Sequence, residues 1–269
     1  MLRKSIAQLV TALGLVLFGA ATAQAAEPIV IGQSAPLSGS NKDLGEDIRD
    51  GALAYFHKVN AEGGIHGRKI ELVTLDDANS TDRSGTNTVE LIEKHNVVAL
   101  FGYASTTLSK PAMPHVEKHK VPFIAPFTGA DYMREFRPLV FNHRAGYTDE
   151  MEKIVEHYTT FGLSRFAVLH HDDTVGKENL AAVERVLKAR NLKPIAIASV
   201  KRTQKDIAKE VADVVKAKPE VVICTTLYQT TADFVKQARA QGLNAQYVSL
   251  SFAGSTALAG ALGEAGLGV

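Results

Sequence analysis

From Pro28 onward the chain alternates short apolar runs with longer stretches of helical period, and that rhythm admits few architectures. A helical crossover returns the chain to the same end of a sheet, so the pattern predicts parallel strands with helices packed on both faces. Strands are expected near Ile29 to Ser34, Lys69 to Leu75, Val97 to Phe101, Phe123 to Ala125, Arg165 to His170, Pro194 to Ser199, Val221 to Thr225 and Gln246 to Leu250. Helices are expected between them, over about Gly45 to Val59, Thr81 to Lys94, Leu108 to Lys118, Thr148 to Tyr158, Gly176 to Ala189, Asp206 to Ala217 and Gln229 to Gln241. In the first of these, Ile48, Ala52, Tyr55, Phe56 and Val59 have the spacing of one buried face. The stretch Asn60 to Val73 punctuates the pattern most clearly. Gly63 or Gly64 takes the positive φ that closes a helix, Gly67 supplies a second tight turn, and an alternating run follows as a strand.

The first residues carry Arg3 and Lys4, an apolar run from Ile6 to Ala20, and Ala23-Gln24-Ala25, which fits the small-residue cleavage pattern of a signal peptide. The apolar run is too short for a membrane anchor, so residues 1–25 are read as a cleaved leader and the mature chain as exported to the periplasm without membrane insertion. Cleavage takes the formal charge from +1 to slightly negative. No basic stripe exists to attract phosphate backbones or anionic lipid, which argues against nucleic acid and membrane surfaces as partners. The single cysteine, Cys224, sits in the apolar run Val221 to Cys224. No disulfide can form within the chain, no lipoprotein-type anchor follows the leader, and burial disfavours a catalytic thiolate there.

Around Phe136 to Asn142 the alternation is interrupted by an extended segment, and a domain boundary is placed there: a first lobe over residues 26–139, a second over 140–250, and the beginning of a further crossing over 251–269. No internal repeat or low-complexity tract stands out.

Several motifs in order resemble the leucine/isoleucine/valine-binding family of periplasmic solute-binding proteins, the receptors of branched-chain amino-acid ABC transporters. They are Ile31-Gly32 with Pro36-Leu37-Ser38-Gly39, Gly63-Gly64-Ile65-His66-Gly67-Arg68, Asp76-Asp77, Phe101 to Thr107, Ala125 to Ala130, the Gly176 helix start, and Gln237 to Gly242. The resemblance implies a type I periplasmic binding protein: α/β, two doubly wound parallel-sheet lobes joined by a hinge, with ligand in the cleft at the carboxyl ends of the strands. It also implies three crossings between lobes. This chain supplies one near Val140 and the start of another around Leu250 to Gly254, so about a hundred residues, comparable to a small domain, are expected to be missing at the C-terminus.

Ser105-Thr106-Thr107 lies between a strand and a helix start, where hydroxyls and unpaired N–H groups can face one anion, although Ser105 or Thr106 can equally serve as a helix cap. The resemblance assigns Thr106 to a ligand's α-carboxylate. Phe127-Thr128-Gly129 follows the next strand and is implicated in the same way, but the family's usual threonine position aligns with Gly129, with Thr128 one residue earlier. The acidic residue that holds an ammonium in the relatives falls on Ser251, and two expected aromatic positions fall on Leu44 and on Leu227 or Tyr228. Either Asp172 or Asp173 substitutes for the missing acid, or the ligand is not an ordinary α-amino acid. Tyr103, Phe127, Tyr147 and Tyr228 are candidate cleft walls or else ordinary packing. Arg144 can reach a second ligand carboxylate or pair with Asp149 or Glu150.

His115 and His119 share a helix face at i and i+4, and His170-His171-Asp172-Asp173 ends a strand, but neither set makes a recognisable metal motif, so no metal or cofactor is expected. The glycine-rich dinucleotide and phosphate loops and the G-x-S-x-G elbow are absent, which argues against an enzyme. The expected function is capture of a small carboxylate-bearing ligand, an amino acid or related organic acid or amide, for a membrane permease. A periplasmic sensor feeding a membrane receptor and a doubly wound enzyme are the alternatives.

Overall fold

The computed structural model describes residues 26–39 and 41–269, so the leader reading of residues 1–25 lies outside the described residues. The chain divides into two compact units, one running up to Tyr103 and including Pro111–Pro122, the other made of Ala104–Lys110 and Phe123–Val269. Segments 104–110 and 123–139, counted with the first lobe in the sequence reading, group with the second unit, where Thr106 meets Thr128 and Gly129 accepts a hydrogen bond from Tyr147.

In the first unit, strand β1 (Ile29–Ala35) lies between β2 (Ile70–Asp76) and β3 (Ala99–Phe101), all parallel, with Ile31 opposite both Leu72 and Ala99. Helix α1 (Lys42–Ala61) joins β1 to β2, and α2 (Thr81–Glu93) joins β2 to β3. The link from α1 to β2 is the glycine turn. The Gly64 N–H donates to the Val59 carbonyl at φ +78°, and a Cβ there would lie 2.1 Å from the Arg68 carbonyl oxygen. His66 and Gly67, both at positive φ, reverse the chain while Ile65 and Arg68 exchange backbone hydrogen bonds of 2.8 and 3.0 Å. Asn60 then clamps the strand, its amide donating to the Ile70 carbonyl and its carbonyl accepting the Ile70 N–H, each at 2.7 Å. The expected buried face of α1 is only half realised: Ile48, Ala52, Phe56 and Val59 are partly covered, while Tyr55 is 64% exposed. Helix α2 buries Ser84, Thr88, Leu91 and Ile92, a true i, i+4, i+7, i+8 stripe.

The single helix expected over 108 to 118 is broken. It begins as one turn, α3 (Thr106–Ser109), passes through a 3-10 turn at Lys110–Ala112, and resumes as α4 (Met113–His119). Pro111 and Pro114 lack the N–H that a continuous ladder would need.

In the second unit, β4 (Phe123–Ile124) pairs in parallel with β5 (Val140–Phe141), a two-residue strand inside the segment read as merely extended. After α5 (Tyr147–Thr160) comes a four-stranded parallel sheet of β6 (Phe166–His171), β7 (Ala196–Val200), β8 (Val221–Thr225) and β9 (Gln246–Ser249), in the order β7-β6-β8-β9. Helices α6 (Thr174–Lys188), α7 (Ala208–Ala217), α8 (Tyr228–Ala240) and α9 (Ser255–Leu262) complete it. Alternate residues of β6 and β8 enter two separate cores. Ala167, Leu169, Val222 and Cys224 pack with Val211, Val214, Phe234 and Val235 of α7 and α8, while Phe166, Val168, Val221 and Ile223 pack with Met151, Val155, Val183 and Leu187 of α5 and α6. Both faces being covered explains why these strands read as unbroken apolar runs. Each Val, Leu, Ile, Phe or Met among them contributes roughly 1.5–3 kcal/mol by burial. No helix among the described residues is long and apolar enough to cross a membrane.

Candidate functional site

Ser105 is the N-cap of α3: its hydroxyl accepts the Leu108 N–H at 3.3 Å and meets the Thr107 hydroxyl at 3.0 Å. The capping role foreseen as an alternative is thus filled by Ser105, which leaves the hydroxyl of Thr106, the first residue of the turn, for other work. That hydroxyl lies 2.6 Å from the Thr128 hydroxyl, and both side chains are buried. Thr128 Oγ1 also accepts the Ala130 N–H at 3.1 Å, which holds its rotamer.

Gly129 follows Thr128 and must be glycine, because a Cβ there would lie 2.5 Å from Tyr147 Cδ1 and 2.8 Å from the Ala145 carbonyl oxygen. The side chain that a threonine would place at 129 therefore has no room. The Gly129 carbonyl instead accepts the Tyr147 N–H at 2.6 Å, joining this loop to the head of α5. Arg134 reinforces the junction, donating from Nη2 to the carbonyls of Thr128 (2.9 Å) and Ala145 (3.1 Å). Burial and the neighbouring positive charge of Arg144 push the Arg134 guanidinium below the ordinary arginine value.

Arg144 is the centre of the arrangement. Its guanidinium carbon stands 4.5 Å from the Phe127 ring centre and 5.7 Å from that of Tyr147, and Tyr147 in turn packs against Phe252 at 5.1 Å. Nη2 donates to the Ser251 hydroxyl and lies 3.7 Å from Glu150 Oε1. Glu150 grips Ser251 twice, accepting its N–H at 2.8 Å and its hydroxyl at 2.6 Å. Nη1 of Arg144 and Nε of Arg134 are buried with no hydrogen-bond partner among the described residues. The pairing of Arg144 with Glu150 was open to sequence reasoning, but Arg134 and Phe252 carried no signal there.

The remaining candidates have partners of their own. Tyr103 is fully buried within the first unit, where its hydroxyl meets Thr88 at 2.9 Å and burial raises its pKa well above the ordinary tyrosine value. Asp172 is exposed and paired with Lys177 at 2.8 Å, an ion pair that holds its carboxyl below the usual range. Asp173 caps α6 through the Gly176 N–H at 2.7 Å and binds Arg202 at 2.5 Å, so neither aspartate is idle. Tyr228 opens α8 and packs partly against the core. Leu44 and Leu227 are likewise half-buried, in α1 and at the α8 cap.

The histidines are structural by their bonds. His171 donates from Nδ1 to the Val200 carbonyl (3.2 Å) and accepts the Leu227 N–H on Nε2 (3.1 Å), which fixes a neutral ring; burial, with Arg202 nearby, pushes its pKa down. His170 donates from Nδ1 to the His171 carbonyl at 2.9 Å. His115 and His119 stack at 6.4 Å, and among the described residues no group of three or more His, Cys, Asp or Glu is placed to hold a metal. A cavity of about 590 Å³, lined by Leu163, Val215, Pro219 and Leu243 among others, opens near the amino ends of β8 and β9, and no candidate residue lines it. The Arg144–Ser251 cluster lies instead on the loops that follow β4, β5 and β9.

Comparison with known proteins matches residues 28–269 to the family described as periplasmic binding protein. An amino acid binding protein of Pseudomonas aeruginosa is 27% identical over 223 residues, covering 82% of this chain and 60% of that protein. The Leu/Ile/Val-binding protein homolog 2 of Brucella abortus is also 27% identical, with the same 82% and 60% coverage. The chain thus spans about 60% of the length of these curated relatives. The crystal structure of a substrate-binding periplasmic protein from Ralstonia solanacearum superposes with a TM-score of 0.80 at 33% identity, over 88% of this chain and 68% of that one. The chain belongs to the periplasmic binding protein family, in its type I, Leu/Ile/Val-binding branch.

Proposed function

We propose that this chain carries ligand-binding machinery of an extracytoplasmic solute-binding protein that works in the periplasm and delivers a small carboxylate-bearing ligand to the permease of an ABC importer. The relatives named for amino acids and for Leu/Ile/Val are binding proteins, which supports a role in capture over catalysis. In this reading, ligand settles in a cleft between two lobes and shifts a hinge equilibrium toward the closed form, by no more than its preference for that form.

The observation that carries the proposal is the meeting of Thr106 and Thr128. They are 22 residues apart in sequence, and two loops must converge to bring their hydroxyls to 2.6 Å beside the Phe127–Gly129 turn. One hydroxyl of the pair donates to the other, which leaves a single O–H, fixed in place, to donate to a carboxylate with little ordering cost. Thermal-shift screening of amino acids, organic acids and amides against the protein, followed by calorimetry, tests it. A rise in Tm with a carboxylate-bearing compound is expected. Silence across the panel at millimolar concentration rejects the reading.

A further inference from the structure

We infer that Arg144 holds the anionic end of the ligand, and that the ligand is a carboxylate lacking an α-ammonium group. This rests on the binding-protein reading above and narrows it. The Arg144 side chain is only 14% exposed, and its Nη1 is buried without a protein acceptor among the described residues. A buried donor left without an acceptor is costly, and a planar guanidinium is suited to donating edge-on to a carboxylate. Phe127 and Tyr147 stand over the guanidinium, which excludes water and strengthens whatever ion meets it.

An ammonium group, by contrast, finds no ready partner at this end of the second unit. Asp131 holds Thr148 and Arg185, Asp149 accepts the Gly146 N–H, Asp172 is paired with Lys177, and Asp173 caps α6 while binding Arg202. Glu150 is the carboxylate that holds Ser251. Both of its oxygens accept from Ser251 and Arg144 Nη2 lies 3.7 Å from one of them, so its negative charge is already shared with a guanidinium. Arg134, close enough for Arg144 to depress its pKa, adds a second positive charge to the same neighbourhood. Burying an unpaired ammonium there carries a penalty that a plain acid avoids.

Matched pairs test this directly: 4-methylpentanoate against leucine and 3-phenylpropanoate against phenylalanine, each pair differing only in the amino group, titrated calorimetrically into the protein. In at least one pair the plain acid is expected to bind about ten-fold or more tightly than its amino acid. Arg144→Gln should weaken the acid by about thirty-fold or more. Arg144→Lys keeps the charge without the planar fork, should lose less, and provides the reading if the glutamine variant fails to fold. Tighter binding of the amino acid in both pairs overturns the inference and leaves the binding-protein reading standing. Acid affinity untouched by either Arg144 variant also overturns it. If none of the four compounds binds, the inference falls, and silence of the wider panel would take the binding-protein reading with it.

Discussion

Two loop edges of the second unit are built from similar residues and end in opposite states. Where β6 and β8 finish, polar groups are closed upon one another: Asp173 on Gly176 and Arg202, His171 between Val200 and Leu227, the Thr225 hydroxyl on the Leu169 carbonyl, Thr226 on Thr231. Where β4 and β5 finish, the bonds hold two arginines in place yet leave a guanidinium N–H on each without an acceptor among the described residues. Native interiors rarely tolerate such orphans, so the contrast supports the proposed reading, in which one edge serves stability and the other receives a ligand.

The sharpest challenge to that contrast is a pair of glycine substitutions. In Gly176→Ala the new methyl would stand 1.9 Å from the His171 carbonyl oxygen, a backbone clash with no flexible partner, and a loss of about 3 kcal/mol in urea unfolding is expected. Whatever folded protein remains should keep its ligand affinity. Gly129→Ala meets the Tyr147 ring as well as backbone, so a smaller stability loss of about 1–3 kcal/mol is expected together with weakened binding, because the displaced ring flanks Arg144. Equal loss of affinity in both variants would erase the distinction between the edges.

Thr106→Ala is gentler. It removes one hydroxyl while Thr128 keeps its bond to Ala130, and affinity for the best-binding carboxylate should fall about five- to ten-fold, the worth of one hydrogen bond. Calorimetry showing no change would take Thr106 out of the site. The smallest effect is one of pH. His171 is held neutral, with its folded pKa below the ordinary 6.5 through burial and then Arg202. The unfolded chain therefore binds the proton first, and the stability this provides is present above the ordinary value and lost as pH falls through the folded one. Tm should decline from about pH 7.5 to about pH 5.5, and less so in His171→Gln. A profile identical in the two proteins would show that the closed edge does not depend on the neutral ring.

Much of this architecture was legible because local chemistry repeats it. Apolar runs such as Val221 to Thr225 are continuous since both faces of the sheet are covered, and the Gly63 to Gly67 turn announces itself by requiring positive φ. Strand β5 was not legible, since two residues cannot display a period, and Tyr55 kept helical spacing while facing solvent. The helix break at Lys110 to Ala112 falls at Pro111, inside a stretch that otherwise keeps helical spacing. In the candidate site, Thr106, Thr128 and Gly129 could be named from strand ends. The joining of Arg144 to Ser251 could not, because the two are 107 residues apart and only the fold brings them to one place.

Cys224 carries a practical consequence of the doubly covered sheet. It is the chain's single cysteine, fully buried in β8, and burial pushes its thiol up to about 12. A thiol reagent added to the untreated protein will thus report the opening of β8, following the opening rate when reagent is in large excess and the opening equilibrium when it is dilute. The native sequence contains its own clock for the opening of that layer, readable without engineering and against a silent background.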